Sequence, residues 1–355
     1  MIFKLGELFC GPGGMSLGAM SANSEKNSNN EEFQIEHGWA SDYDADSCAT
    51  YKHNIIGSED TTVIQRDVRE LDIQALPSIN AFAYGFPCND FSLVGEQKGI
   101  DGHFGPLYTY GINVINKFRP DFFVAENVGG LSSSNEGVAF KKILHALENS
   151  GEGYNIVVHK YKSEEYGVPQ TRHRIIIVGI QRALGIKFKV PAPTTKNSYM
   201  TSKDALEKPP IPSDAFNNEL TRQSATVIER LQHIKPGENV WNADLPDHLK
   251  LNVKGAKLSQ IYRRLHPDKP SYTITGSGGG GTHGYHYNEY RALTNRERAR
   301  IQTFPDNYIF HGSKESVRKQ IGMAVPPTLS KVIFESILKC FARVSYNSID
   351  ANLHM

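Results

Sequence analysis

Residues 3–9 form a strand-like run that ends directly on Cys10-Gly11-Pro12-Gly13-Gly14, and a helix-prone stretch at about 15–22 follows. A strand that feeds a helix through a glycine-rich turn leaves few folds open, because such a turn lets backbone approach a ligand closely. The turn alone is a weak signal, since many strands end on glycine, but the pattern continues. A second strand ends near residue 40, then come Asp42-Tyr43-Asp44 and a helix to about residue 53. Strand-like runs recur at 62–65, 81–85, 122–125, 156–161 and 175–180, with helical stretches between several of them, notably 107–118 and 137–149. This alternation predicts an α/β fold: a mostly parallel, doubly wound, Rossmann-like sheet with helices on both faces. Residues 23–32 are all polar and are expected to form a flexible surface insertion.

The pattern changes after residue 179. Residues 185–290 hold half of the prolines, few periodic segments and the run Gly276-Ser277-Gly278-Gly279-Gly280-Gly281, so a second, smaller, loop-rich domain is expected there. Helix signals return at 294–302 and 326–343, which divides the chain into 1–184, 185–290 and a return to the first domain over 291–355. The net charge of +1 conceals a split: residues 1–150 carry −10, residues 151–300 carry +9 and residues 301–355 carry +2. A middle block that basic suits a polyanion such as nucleic acid, although surface charge also varies along chains for no functional reason.

At 355 residues and 39% hydrophobic content the chain can bury a sizeable core. No apolar run approaches the roughly 20 residues of a membrane helix, and the N-terminus lacks a signal-peptide layout, so a soluble protein of a reducing cytoplasm is expected. The four cysteines (Cys10, Cys48, Cys88, Cys340) match neither a disulfide framework nor a zinc pattern, and no metal is expected.

Chemistry gathers at the strand ends. Asp42 sits where an acid binds ribose hydroxyls in nucleotide-type folds, and Tyr43 is either a ring to stack on adenine or a half-buried core aromatic. No phosphate-binding Gly-Lys-Ser/Thr turn is present, which argues against ATP or GTP. Gly85-Phe86-Pro87-Cys88-Asn89-Asp90-Phe91-Ser92 places a cysteine just past a strand, where a lowered pKa makes a nucleophile and ordinary burial makes a small hydrophobe. Glu126-Asn127-Val128 puts a carboxylate at another strand end, as a hydrogen-bonding acid or a structural cap. In Gln170-Thr171-Arg172-His173-Arg174, arginines two apart share one side of an extended segment, which suits phosphate or carbonyl contacts unless the stretch is simply solvated.

In this order and spacing, the pieces resemble the DNA (cytosine-5)-methyltransferase family. The resemblance continues through Leu293-Thr294-Asn295-Arg296-Glu297-Arg298-Ala299-Arg300 and Gln320-Ile321-Gly322-Met323-Ala324-Val325-Pro326 and covers roughly 4–180 and 290–335. It implies methyl transfer from S-adenosylmethionine to C5 of a cytosine flipped out of duplex DNA, leaving S-adenosylhomocysteine. Cys88 matches the nucleophile that adds to C6, Glu126 the acid at N3, and Arg174 the arginine at O2, with Arg172 supporting the loop. Phe9, Gly11, Gly13, Asp42, Tyr43, Asp67, Leu107 and Val325 match cofactor-binding positions. Residues 93–105 match a loop that closes over the flipped base.

The unmatched segment, about 185–290, occupies the family's target-recognition position, and Arg263, Arg264, Ser277, Gly279 and His283 are candidate DNA contacts. Three positions depart from the family pattern: Asn89 replaces Gln, His103-Phe104 replaces Arg in a loop-closing motif, and Met323 replaces Asn. An RNA-directed enzyme and a non-catalytic DNA-binding scaffold are the rival readings. Against the first, residues 127–300 contain no cysteine, and against the second, Cys88, Glu126 and Arg174 are all present. A bacterial, monomeric enzyme is expected, acting as the protective half of a restriction–modification pair whose endonuclease is a genetic rather than a physical partner.

Overall fold

The computed structural model describes residues 1–86, 107–128, 138–252, 258–276 and 280–353. Cys88, Asn89, the expected closing loop and the candidate DNA contacts Ser277 and Gly279 lie outside the described residues. The chain divides into two compact units, one of Met1–Lys162, His173–Thr194 and Pro327–Met355, the other of Ser163–Arg172 and Thr195–Pro326. The second unit therefore extends through residue 326, where the sequence placed the return to the first domain at 291.

The first unit is built on β1 (Ile2–Leu8), α1 (Gly14–Met20), β2 (Glu25–Lys26), β3 (Glu32–Asp42), α2 (Ala45–Asn54), β4 (Val63–Gln65), β5 (Ala81–Gly85), α3 (Tyr108–Phe118), β6 (Phe122–Val128), α4 (Val138–Glu148), β7 (Tyr154–Lys162), β8 (His173–Gln181) and β9 (Val190–Pro191). Its sheet runs β2-β3-β1-β5-β6-β8-β7, with β4 also paired to β3. The β1–β3, β1–β5, β5–β6 and β3–β4 pairs are parallel, whereas β8 is antiparallel to both β6 and β7. Chain order reverses beside β1, and such a switch point opens a ligand crevice at the strands' C-terminal ends. Continuous apolar runs explain the central strands: Ala81, Phe82, Ala83 and Tyr84 are fully buried, as a parallel strand covered on both faces requires. Phe140, Ile143, Leu144 and Leu147 of α4 bury one helical stripe in the same core.

Residues 23–32 are ordered, contrary to expectation. Glu25 and Lys26 pair antiparallel with Phe33 and Glu32, and the Asn27 side chain accepts from the Asn29 and Glu31 amides to hold the turn. A polar hairpin of this kind needs no core of its own once one strand belongs to the sheet.

The second unit contains α5 (Ser202–Glu207), α6 (Ala225–Gln232), α7 (Asn295–Ile301) and α8 (Lys314–Met323). Among its described residues the strand contacts are isolated bridges, and two small apolar clusters, around Leu231–Tyr262–Tyr285 and Leu265–Ile274–Leu293, supply the core. Gly322 explains why α8 stays with this unit. A Cβ there would meet Gly276 N at 2.0 Å, so only glycine lets the helix approach the Thr275-Gly276 backbone so closely. The chain returns to the first unit as α9 (Pro327–Ala342), where Ser330 Oγ donates to Met15 O at 2.8 Å and seats the helix on α1, before β10 (Ser348–Ile349) pairs with β9.

The stretch Lys314–Ala342, divided between α8 and α9, is long and apolar enough to cross a membrane by length and composition only. Of its apolar window, 72% is buried inside the protein, which is how a core helix satisfies the same test.

Candidate active site

The β1–α1 turn has the backbone of a ligand cradle. Phe9, Gly11 and Gly13 all adopt positive φ (55°, 51° and 88°), and among the described residues nothing lies within 4 Å of where a Cβ on Gly11 would stand. Asp42, at the end of β3, anchors the turn: its Oδ2 accepts from Gly11 N at 2.9 Å and its Oδ1 from Asp44 N at 3.0 Å. Desolvation raises the Asp42 pKa, and the two amides partly offset it. The adjacent Tyr43 is 59% exposed, so its ring is not a core aromatic.

Two other cofactor candidates have partners. Asp67 receives Arg69 Nε at 2.9 Å in a two-pronged surface pair, and Leu107 is buried at the start of α3. Val325 is buried in the second unit.

At the end of β6, Glu126 lies beside Gly85 in the β5–β6 ladder, and Val128 lies opposite Arg174 in the β6–β8 ladder. Arg174 Nε reaches Glu126 Oε1 at 2.9 Å, and both side chains are only 13% exposed. Glu126 Oε2 is 3.3 Å from where a Cβ on Gly85 would stand, so this carboxylate lies over the last residue of β5. Desolvation lowers the Arg174 pKa while Glu126 opposes the shift, and a guanidinium remains charged.

Asn127 escaped sequence reasoning. It is 1% exposed, and its Nδ2 donates to Phe86 O at 3.1 Å, tying the end of β6 to the residue that precedes Pro87-Cys88. The signal was available in the Glu126-Asn127 pair, but an amide next to an acid has no chemistry of its own to betray it.

Beneath the turn lies a buried polar chain that sequence reasoning also missed. Ser16 Oγ donates to Glu7, Tyr51 OH donates to Ser16 Oγ at 2.7 Å and lies 3.2 Å from His37 Nδ1, and His37 Nε2 lies 3.0 Å from Thr62 Oγ1. Burial pushes the Glu7 carboxyl up to about 8 and the His37 imidazole down to about 4.

In the second unit the sequence candidates separate into different roles. Arg172 is 1% exposed and donates to the carbonyls of Ile274 (3.1 Å), Gly322 (3.0 Å) and Ala324 (2.9 Å). Beside it, Gln170 bonds Gln302 and the Ile274 amide, each at 2.8 Å. Arg172 is therefore a clamp on the 274 and 322–324 segments, neither solvated nor paired in action with Arg174.

Arg264, expected at DNA, points inward: it is 4% exposed and donates to the carbonyls of Leu231, Ile234, His286 and Tyr287. Arg263 stays half-buried with its guanidinium 4.5 Å from the Tyr272 ring centroid, and His283 is half-buried as well.

The sequence model of C-5 cytosine-specific DNA methylases matches residues 3–339. The Type II methyltransferase M.BbvI of Brevibacillus brevis is 57% identical over 99% of this chain and 95% of its own length. The Type II methyltransferase M.NgoFVII of Neisseria gonorrhoeae is 38% identical over 98% and 89%. Among solved structures, a candidate DNA modification methyltransferase encoded within an Escherichia coli prophage superposes with a TM-score of 0.71 at 22% identity, covering 96% of this chain and 99% of that one, a likeness of fold.

Proposed function

The chain belongs to the C-5 cytosine-specific DNA methylase family, and on that premise we propose which of its residues carry each part of the reaction. The enzyme transfers a methyl group from S-adenosylmethionine to C5 of cytosine in DNA. The observation that carries the residue assignment is the Glu126–Arg174 pair, held over the end of the strand that leads through Phe86 into Pro87-Cys88.

Unactivated C5 is too weak a nucleophile to take the methyl group. The Cys88 thiolate adds to C6, and the displaced ring electrons make C5 enamine-like, which divides one hard step into two easier ones. Glu126 hydrogen-bonds N3 and draws electron density from C6. Arg174 fixes that carboxylate and reaches O2. After C5 is methylated, loss of its proton and cleavage of the C6–S bond restore the 5,6 double bond and free Cys88. The ring is unreachable inside a duplex, so the nucleotide is flipped out at a cost of about a few kcal/mol.

The residues present fit the cofactor. An open left-handed turn, an acid that spans it and an exposed aromatic ring beside it suit a nucleoside-bearing ligand. Phe9, Gly11, Gly13, Asp42 and Tyr43 would hold it, with Asp67 and Leu107 completing the set. When bound, it supplies an electrophilic methyl group.

The second unit reads as the target-recognition part, with Arg263 and His283 retained as contacts and Arg264 reassigned to the interior. The similarity to Type II methyltransferases supports a protective role in a restriction–modification system. In this reading the enzyme acts as a monomer in the cytoplasm and its endonuclease is only a genetic partner. Labelled S-adenosylmethionine should mark duplex DNA and leave transfer RNA unmarked. Labelling of transfer RNA alone would reverse the substrate assignment.

A further inference from the structure

A small recess open to solvent lies wholly within the second unit, and Thr273, Thr275, Thr282, His283, Arg298 and Arg318 are among the residues lining it. Among the described residues no carboxylate lines it. The other charged groups of α7 are engaged: Arg296 donates to three carbonyls, Glu297 pairs with Arg291, and Arg300 forks onto Asp306. Arg298 differs. Its residue is 4% exposed, yet among the described residues its guanidinium makes no hydrogen bond and no ion pair. Arg318 is similar: among the described residues its buried Nε has no partner, and the one carboxylate it pairs with is Glu315, 3.5 Å away and 85% exposed.

Two guanidinium groups facing one recess repel each other and have lost much of their water, an arrangement that is costly until an anion enters. Burial pulls Arg298 down to about 10, with Arg318 adding to the shift and the Tyr272 phenol opposing it, so Arg298 is charged at neutral pH. Burial together with Arg298 and Arg318 pulls His283 down to about 4, which leaves a neutral ring able to donate one N–H.

We propose that this recess binds one phosphate of the DNA backbone, whose oxygens accept from Arg298 and Arg318. The inference rests on the reading of the second unit as the target-recognition part. Two positive charges without a carboxylate favour an anion over the neutral edge of a base. Free inorganic phosphate offers the same chemistry.

Arg298→Gln and Arg318→Gln separate these cases. Each should weaken duplex binding about tenfold near 0.1 M salt, equally on cognate and unrelated sequences, and lower the magnitude of the log–log salt slope by about one. The melting temperature should hold or rise, because an uncompensated buried cation has been removed. A single methylphosphonate at the contacted position should weaken wild-type binding similarly and cost Arg298→Gln nothing further. An unchanged slope, a loss confined to one base position, or a fall in melting temperature with binding intact would each overturn the proposal.

Inorganic phosphate titrated by phosphorus NMR tests the other source. Binding that Arg298→Gln abolishes, with the DNA slope unchanged, would assign the recess to free phosphate and overturn the DNA contact. Photocross-linking to iodouracil-substituted duplex tests the underlying reading separately. No cross-link within 195–326 removes the target-recognition assignment, whereas cross-links there with an unchanged slope reject the recess alone.

Discussion

Arg174 Nε lies 2.9 Å from Glu126 Oε1, with both side chains 13% exposed, and this contact joins the ends of β6 and β8 at the mouth of the crevice. Losing one member of so enclosed a pair strands the other, at a cost of about 3–5 kcal/mol. Arg174→Ala should therefore slow single-turnover methyl transfer by at least about 100-fold. Arg174→Lys should recover only part of the loss, since an ammonium cannot reproduce the guanidinium's planar geometry. Rapid-quench measurement with saturating DNA and cofactor checks this, and an unimpaired Arg174→Ala rate would separate Glu126 from its assigned partner.

Asp42 holds the glycine turn through Gly11 and Asp44 and is the acid assigned to the ribose. Asp42→Ala should weaken S-adenosylhomocysteine binding by about 10- to 100-fold, equivalent to roughly 1–3 kcal/mol. Isothermal calorimetry reads the effect directly. Unchanged affinity would mean that another residue holds the ribose.

Arg172 and Arg264 each occupy several buried carbonyls, and truncating either would leave those acceptors unsatisfied. Arg172→Ala and Arg264→Ala should each destabilise the protein by about 2–5 kcal/mol, seen as a lowered denaturant midpoint. Neither should alter the salt slope of DNA binding in the protein that remains folded. A slope change at Arg264 with full stability would restore it as a DNA contact.

These arginines mark the limit of what the sequence revealed. Strand-end chemistry was legible: the Gly11–Gly13 turn, Asp42 and Glu126 could be placed because apolar strand runs announce where they stop. The fate of a cation was not. Arg172 and Arg174 are two residues apart, yet one clamps carbonyls of the second unit and the other pairs with Glu126, because β8 begins between them at His173. Arg263 and Arg264 diverge for the same kind of reason, since inward or outward direction depends on carbonyls from distant segments. The return to the first unit was placed too early because α7 and α8 have ordinary helix signals, and contacts such as the Gly322–Gly276 approach, which show where they pack, have no signal in the sequence. Glu7 read as one more residue of an apolar strand.

Glu7 also gives the fold a pH dependence. Its folded pKa of about 8 stands above the ordinary 4.5, so its contribution to stability is complete below about 4.5 and is lost as pH rises to about 8. His37 works in the opposite sense and only below its ordinary 6.5, which leaves pH 6.5 to 8.5 to Glu7. Over that range the wild-type melting temperature should fall by on the order of a few °C, and Glu7→Gln should flatten the decline. Calorimetric scans at constant ionic strength check it, and equal slopes in the two proteins would exclude Glu7 as the source.

Cys88 is assigned the covalent bond to the base. Duplex DNA with 5-fluorocytosine at the target position permits thiolate addition and methylation, but fluorine cannot leave as a proton does. Incubated with S-adenosylmethionine, the enzyme should form a complex that survives denaturing electrophoresis, and none should form when the cofactor is omitted. Glu126→Gln should trap slowly. Cys88→Ser should bind the duplex and form no adduct, because an alcohol is almost wholly protonated near neutral pH and is a far weaker nucleophile. A Cys88→Ser protein that still forms the adduct would contradict the account and move the nucleophile to another residue.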